Sequence, residues 1–236
     1  KQYRPQVMET GKVDIVENLP QVSNTTMMFN WDINTKGNDF IGSGKLDGNG
    51  IPADFFTDLH VRKAFSYSFN YKAFIQEVRM GEAIRLRGPI VKPLIGYNDD
   101  SMIYNLNLEK AEEHFRQAFD GKLWEKGFQM TLTYNTGNSA RKVAADMLKS
   151  YIEQINPKFD VKVQGLQWST YLDASIQGTL PASFGGWLAD FPDPHNFVQP
   201  FLHSDGYYAG QRGENYQEWA EENVDGLIDK GISTVD

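Results

Sequence analysis

FQMTLTY at 128–134, SARKVAADMLKSYIEQI at 139–155 and FDVKVQGL at 159–166 decide the fold of this chain. The first segment alternates apolar and polar residues, as a half-buried strand does. The second carries Val143, Ala144, Met147, Leu148, Tyr151, Ile152 and Ile155 on one helical stripe. The third alternates again through Val161 and Val163. A short helix from Trp168 to Gln177 and a strand from Ala182 to Trp187 complete the run. Strands alternating with helices predict an α/β layer, a mixed sheet covered by helices.

Working outward, Asn107 caps a helix from Leu108 to Phe119, with Glu109 and Glu112 in its positive first turn. Val61, Ala64, Phe65 and Ser68 recur at helical spacing after Asp58. Asn70 caps a second helix that ends at Gly81. Residues 83–104, with Pro89, Pro93 and Gly96, read as an extended loop. Thr25 to Trp31 and Val13 to Val16 are expected strands. Residues 34–54 hold Gly37, Gly42, Gly44, Gly48 and Gly50, and are expected to form a flexible insertion. A final helix is expected over about Tyr216 to Lys230. With no repeat and no linker, residues 1–236 read as one domain. Both ends read as cut, since the chain starts at Lys1 without an initiator Met and stops at Asp236 just past a helix.

Composition excludes several classes. The chain has 23 basic and 31 acidic residues, a net charge of −8, which argues against a nucleic-acid partner. There is no cysteine, so disulfides and thiolate chemistry are out. No run approaches the roughly 18 apolar residues a membrane span needs. Gly42-Ser43-Gly44-Lys45 fails as a phosphate loop, because Leu46 stands where a hydroxyl should hold magnesium. Asp47-Gly48-Asn49-Gly50 fails as a calcium loop, because Pro52 occupies the sixth position, which needs glycine. His60, His114, His195 and His203 show no metal-ligand spacing, so no metal and no cofactor is expected. His203-Ser204-Asp205 holds triad residue types, but a triad is defined by geometry across the fold. Asp190 and Asp193 are candidate paired carboxylates for acid–base work.

Three stretches together resemble a known family. They are Gly11 to Ile15 followed by Met28-Phe29-Asn30; Val61 to Asn70 running on to Gly81; and Gln167-Trp168-Ser169-Thr170-Tyr171-Leu172 leading to Trp187-Leu188-Ala189-Asp190-Phe191-Pro192-Asp193-Pro194-His195-Asn196-Phe197. Their order and spacing resemble the dipeptide/oligopeptide-type extracellular solute-binding proteins of bacterial ABC importers. Asn107-Leu108-Glu109-Lys110-Ala111 also fits the family's helix opening, where Asp-Pro often replaces Asn-Leu. The resemblance covers about residues 7–231. It implies a type II periplasmic-binding-protein-like lobe, the C-terminal one of two, with the N-terminal lobe of the same protein and the return segment missing. It also implies a non-enzymatic receptor outside the cytoplasm, periplasmic or a cell-surface lipoprotein, that delivers a peptide or other small solute to an ABC permease.

By that resemblance, ligand contacts fall on Asp190, Ala189, Trp187, Phe184 and Trp168. The aspartate would accept a peptide α-ammonium, which needs a charged partner once it leaves water. The two tryptophans would line side-chain pockets. Some oligopeptide members carry an arginine three residues before the tryptophan, where this chain has Phe184. Other readings stay open. Trp168 and Trp187 fit core positions, and Asp190 fits a cap of the proline turn. An oligosaccharide stacked on Phe184, Trp187 and Trp168 fits the same fold. A hydrolase using Asp190 and Asp193 is a third reading.

Overall fold

A computed structural model describes residues 4–16 and 21–234. In chain order the elements are α1 (Arg4–Glu9), β1 (Ser23–Phe29), α2 (Leu59–Tyr67), α3 (Tyr71–Ala73), α4 (Leu108–Gln117), α5 (Lys122–Lys126), β2 (Phe128–Asn135) and α6 (Ser139–Ile155). Then come β3 (Phe159–Leu166), α7 (Trp168–Ile176), β4 (Ala182–Leu188), α8 (His195–Leu202), α9 (Ala209–Arg212), α10 (Glu214–Ala220) and α11 (Gly226–Ser233). A π-helical turn extends α3 over Phe74–Val78, and another joins α10 to α11 over Glu221–Asp225.

Helix starts follow from polar side chains that satisfy free N–H groups. Asn70, Asn107 and Asn138 each accept a hydrogen bond three residues on, from Ala73, Lys110 and Arg141 at 2.9–3.0 Å. Asp58 caps α2 through the amides of His60 and Val61. Its other oxygen accepts from Phe119 N–H at 2.7 Å, which ties α2 to the end of α4.

The expected mixed sheet is split into two ladders. β2 and β3 pair in parallel, from Phe128 opposite Phe159 to Asn135 opposite Leu166. β1 and β4 pair antiparallel, from Ser23 opposite Leu188 to Phe29 opposite Ala182. α6 supplies the parallel crossover and buries Ala144, Ala145, Leu148 and Ile152, while Val143 stays at the surface. The main core stacks aromatic rings: Phe115 and Phe128 lie 4.8 and 4.7 Å from Phe159, and Phe29 lies 4.6 Å from Phe56. Such ring pairs add about 0.5–1.5 kcal/mol each beyond area burial.

Three expectations need correction. Val13 to Val16 is no strand; it is exposed and pairs with neither of the two ladders among the described residues. Residues 34–54 are folded rather than loose. Ile41 and Ile51 are buried at either end of a pinched loop, Gly42 bridges Gly50, and Asn38 Nδ2 donates to the carbonyls of Asn34 and Thr179 at 2.7 Å. Its glycines serve close approach: a Cβ on Gly42 would lie 2.1 Å from the Asn49 carbonyl oxygen. The final helix is not continuous from Tyr216, because the π-helical turn interrupts it. α8 was not anticipated, since Pro192 and Pro194 read as breaking the chain. Pro194 sits just ahead of the helix and Pro200 is inside it. Among the described residues no helix is long and apolar enough to cross a membrane.

Candidate ligand-binding site

β4 carries the site. Its alternation sends Phe184 into the main core, while Trp187 packs with Met28, Phe201 and Tyr208 in a second, smaller cluster. Gly185 and Gly186 let neighbouring groups approach this part of the strand closely. A Cβ at Gly185 would stand 2.5 Å from Met28 Cε, and one at Gly186 would stand 3.1 Å from the Asn24 carbonyl oxygen. The space in front of the strand is a cavity of about 260 Å³. Its walls include Trp168 and Tyr171 from α7, Trp187 and Phe184 from β4, Tyr207 and Tyr208 from the loop between α8 and α9, and Arg141 from α6.

The walls are pinned by hydrogen bonds. Tyr171 O–H donates to the Phe184 carbonyl at 3.0 Å and accepts from the Phe184 N–H at 2.6 Å. Burial pushes its pKa up to about 12. Tyr208 O–H donates to the Gly186 carbonyl at 3.1 Å, and burial raises its pKa as well. Asn196, buried in α8, is a hub. Its Oδ1 accepts from Trp187 Nε1–H at 2.8 Å and from the Asp190 amide at 3.2 Å. The indole and the aspartate backbone are thus fixed by one side chain.

The sequence-derived residues separate into three positions. Trp187 is half-buried and Trp168 is 54% exposed, stacked 6.0 Å from Tyr171; both line the cavity. Phe184 is only 7% exposed, so it offers the cavity little ring surface. Ala189 and Asp190 lie beyond the lining. The Ala189 N–H donates to the Val22 carbonyl at 3.0 Å, extending the β1–β4 ladder. Asp190 is exposed, and among the described residues its carboxylate has no partner. The cap in this turn is Asp193, whose Oδ1 accepts from the His195 N–H at 2.8 Å.

The other candidates do not assemble into chemistry. Ser204 Oγ donates to Asp225 rather than to His203, whose Nδ1 instead accepts from the Asp205 N–H. His60 and His114 meet through Nδ1 atoms 3.0 Å apart on neighbouring helices. Among the described residues no three potential metal ligands converge. Arg141 and Tyr171 escaped sequence reasoning as wall residues, and Asn196 as the side chain that holds Trp187 and the Asp190 backbone. One signal was available for Arg141: a cation in the first turn of a helix opposes the helix dipole.

Comparison with known proteins places the chain in a family. Residues 2–209 match the family described as bacterial extracellular solute-binding proteins, family 5 middle. The chain belongs to this family. It is 28% identical over 184 residues to the dipeptide-binding protein of Escherichia coli strain K12, covering 76% of this chain and 32% of that protein. It is 22% identical over 184 residues to the oligopeptide-binding protein OppA of Bacillus subtilis strain 168, again covering 76% and 32%. The chain thus spans about a third of the length of these curated family 5 relatives. The solved structure of the oligopeptide-binding protein AppA from Bacillus subtilis, in complex with a nonapeptide, superposes with a TM-score of 0.71 at 20% identity. That match covers all of this chain and 43% of AppA. The fold is that of the type II periplasmic binding proteins.

Proposed function

We propose that this family 5 chain forms one ligand-binding wall of an extracytoplasmic receptor that hands short peptides to an ABC permease. Capture would place the peptide's α-ammonium at Asp190 and its side chains against Trp187 and Trp168. A second lobe would close over that wall. The observation that carries this reading is the unspent Asp190 carboxylate beside an indole held by the same asparagine. A charged side chain left without a protein partner beside an aromatic cavity favours an ionic ligand group over a purely apolar one. The names of the relatives support peptides as the solute class.

An amide-NMR titration tests it. Free-amine tripeptides are expected to shift resonances around Asp190 and Trp187, while N-acetylated versions and cello-oligosaccharides leave Asp190 unmoved. Because Asp190 is exposed in this chain, Asp190→Asn should weaken free-amine peptides by only about two- to fivefold, the scale of a solvated ion pair. Equal shifts with acetylated peptides, or stronger shifts with the sugars, would replace the peptide reading with the oligosaccharide one.

A further inference from the structure

We propose that Lys149 and Glu153 of α6 stand in for a neighbouring strand along the free edge of β3, and that they keep this edge from pairing with the same edge of a second copy of the chain. None of the residues involved lines the cavity, so the identity of the ligand does not bear on it.

Among the described residues β3 pairs with β2 alone, in parallel, which leaves its other side as an edge. In a parallel pair, alternate residues turn their N–H and C=O toward the partner strand, and the residues between turn theirs away. Bonds at both ends fix the phase. The Phe128 N–H donates to the Lys158 carbonyl at 3.2 Å and the Thr136 N–H to the Leu166 carbonyl at 2.7 Å, so the even-numbered residues of β3 face β2. Phe159, Val161, Val163 and Gly165 therefore present their backbone to the open side. The Phe159 N–H is spent on the Asn156 carbonyl at 3.0 Å. Val161 is closed by side chains. Its N–H donates to Glu153 Oε1 at 3.0 Å, and its carbonyl accepts from Lys149 Nζ at 2.7 Å. The two side chains also pair with each other. Together they offer Val161 one acceptor and one donor, as the backbone of an adjacent strand would.

Helix stability does not account for the pair. Glu153 lies in the last turn of α6, where a carboxylate opposes the helix dipole. A lysine four residues ahead of a glutamate is also the weaker order for such a pair. An edge explains both residues. Unpaired strand edges recruit further strands, and charged side chains are a common means of blocking them. The edge of β3 suits a two-fold partner. Antiparallel pairing centred on Val163 would set Val161 of each copy opposite Gly165 of the other. Lys162 would then face Gln164 rather than another lysine, so the strand's own charge does not forbid the contact. The clamp withdraws Val161 from both outer rungs, and only the central rung remains. One rung is far short of the strand pairing that is stable in water.

The test uses the 236-residue chain, labelled for NMR, with Glu153→Ala, Glu153→Gln and the double variant Lys149→Ala/Glu153→Ala; dispersed amide spectra verify that each folds. In the wild type the Val161 amide should exchange with solvent about tenfold more slowly than the Val163 amide, the size of one hydrogen bond to a charged group. The wild type should sediment as a monomer up to about 1 mM, whereas Glu153→Ala should form a reversible dimer within that range. In that dimer the Val163 and Gly165 amides should gain about tenfold protection. Lys162 and Gln164, already bonded to β2, should not change. Glu153→Gln keeps an acceptor and should stay monomeric, while the double variant frees the Val161 carbonyl as well and should dimerise more tightly. Edge closure is overturned if Val161 exchanges as fast as Val163 in the wild type, or if Glu153→Ala and the double variant both stay monomeric. An assembly in which Val163 and Gly165 gain no protection overturns it too, since that contact lies elsewhere. So does a wild-type dimer with those amides protected, which would show the edge already open.

Discussion

Tyr171 both donates to and accepts from the Phe184 backbone, and burial carries its hydroxyl pKa from 10.0 to about 12. In the unfolded chain the phenol ionises near its ordinary value, while in the folded chain it keeps its proton. Between the two values the folded state binds more protons, so stability falls as pH rises. The contribution is complete below about pH 10, and roughly 3 kcal/mol of it is gone by about pH 12. Tyr71, Tyr104, Tyr208 and Tyr216 are shifted up by burial too, and share the alkaline loss. Tyr171→Phe should therefore flatten the decline seen in urea unfolding between about pH 10 and 12, without abolishing it. At neutral pH the same variant should cost about 1–3 kcal/mol, because the Phe184 N–H and carbonyl lose a partner. An unchanged alkaline slope would show that Tyr171 titrates normally. At this scale the resemblance to the family pointed to Trp168 and Trp187, and both line the cavity, whereas the residues by themselves also fitted core positions. It could not identify Asn196 as the hub, since an asparagine in a proline-broken loop also reads as an ordinary turn residue. Phe184 looked equivalent to Trp187, and only the strand's alternation, fixed by pairing with β1, sends it into the core.

Elements were legible wherever local chemistry acts alone. Asn70, Asn107 and the stripe of α6 reveal themselves through capping and period, and neither depends on distant partners. Residues 34–54 were not legible, because their order comes from Ile41 and Ile51 entering a core built by other segments. Composition saw only the glycines. The junction of α5 and β2 shows what such a glycine does. Gly127 sits at φ 79° and ψ −174°, a region essentially closed to residues with a side chain. A Cβ there would lie 2.3 Å from the Lys158 carbonyl oxygen, where the chain enters β3. Gly127→Ala combines backbone strain with a clash against rigid backbone, and should cost about 3 kcal/mol. The urea midpoint should drop accordingly. A loss below about 0.5 kcal/mol would mean that β2 and β3 can shift apart freely at this end.

On the scale of the molecule, the proposed binding wall is open. The cavity of about 260 Å³ is small against the roughly 300–1,000 Å³ of sites that bury most of a ligand. Trp168 is more than half exposed, and Asp190 faces water. An ion pair formed there stays solvated, and is worth about 0.2–1 kcal/mol. Stacking on Trp187 and Trp168 adds contact on one face of the ligand only. The 236-residue chain should therefore bind free tripeptides with a dissociation constant weaker than about 100 μM, or about 5.5 kcal/mol. Calorimetry at high peptide concentration measures this directly. A low-micromolar constant would mean that the described face already excludes water around Asp190. The same physics predicts how the anchor grows. Covering the wall with a second lobe would strip water from the ammonium–carboxylate pair. The loss from Asp190→Asn should then rise from a few-fold to about 2–5 kcal/mol. Measuring the variant in the chain alone and in a protein of its relatives' length separates the two regimes. Equal losses in both would show that closure does not desolvate Asp190, and that the anchoring charge lies elsewhere.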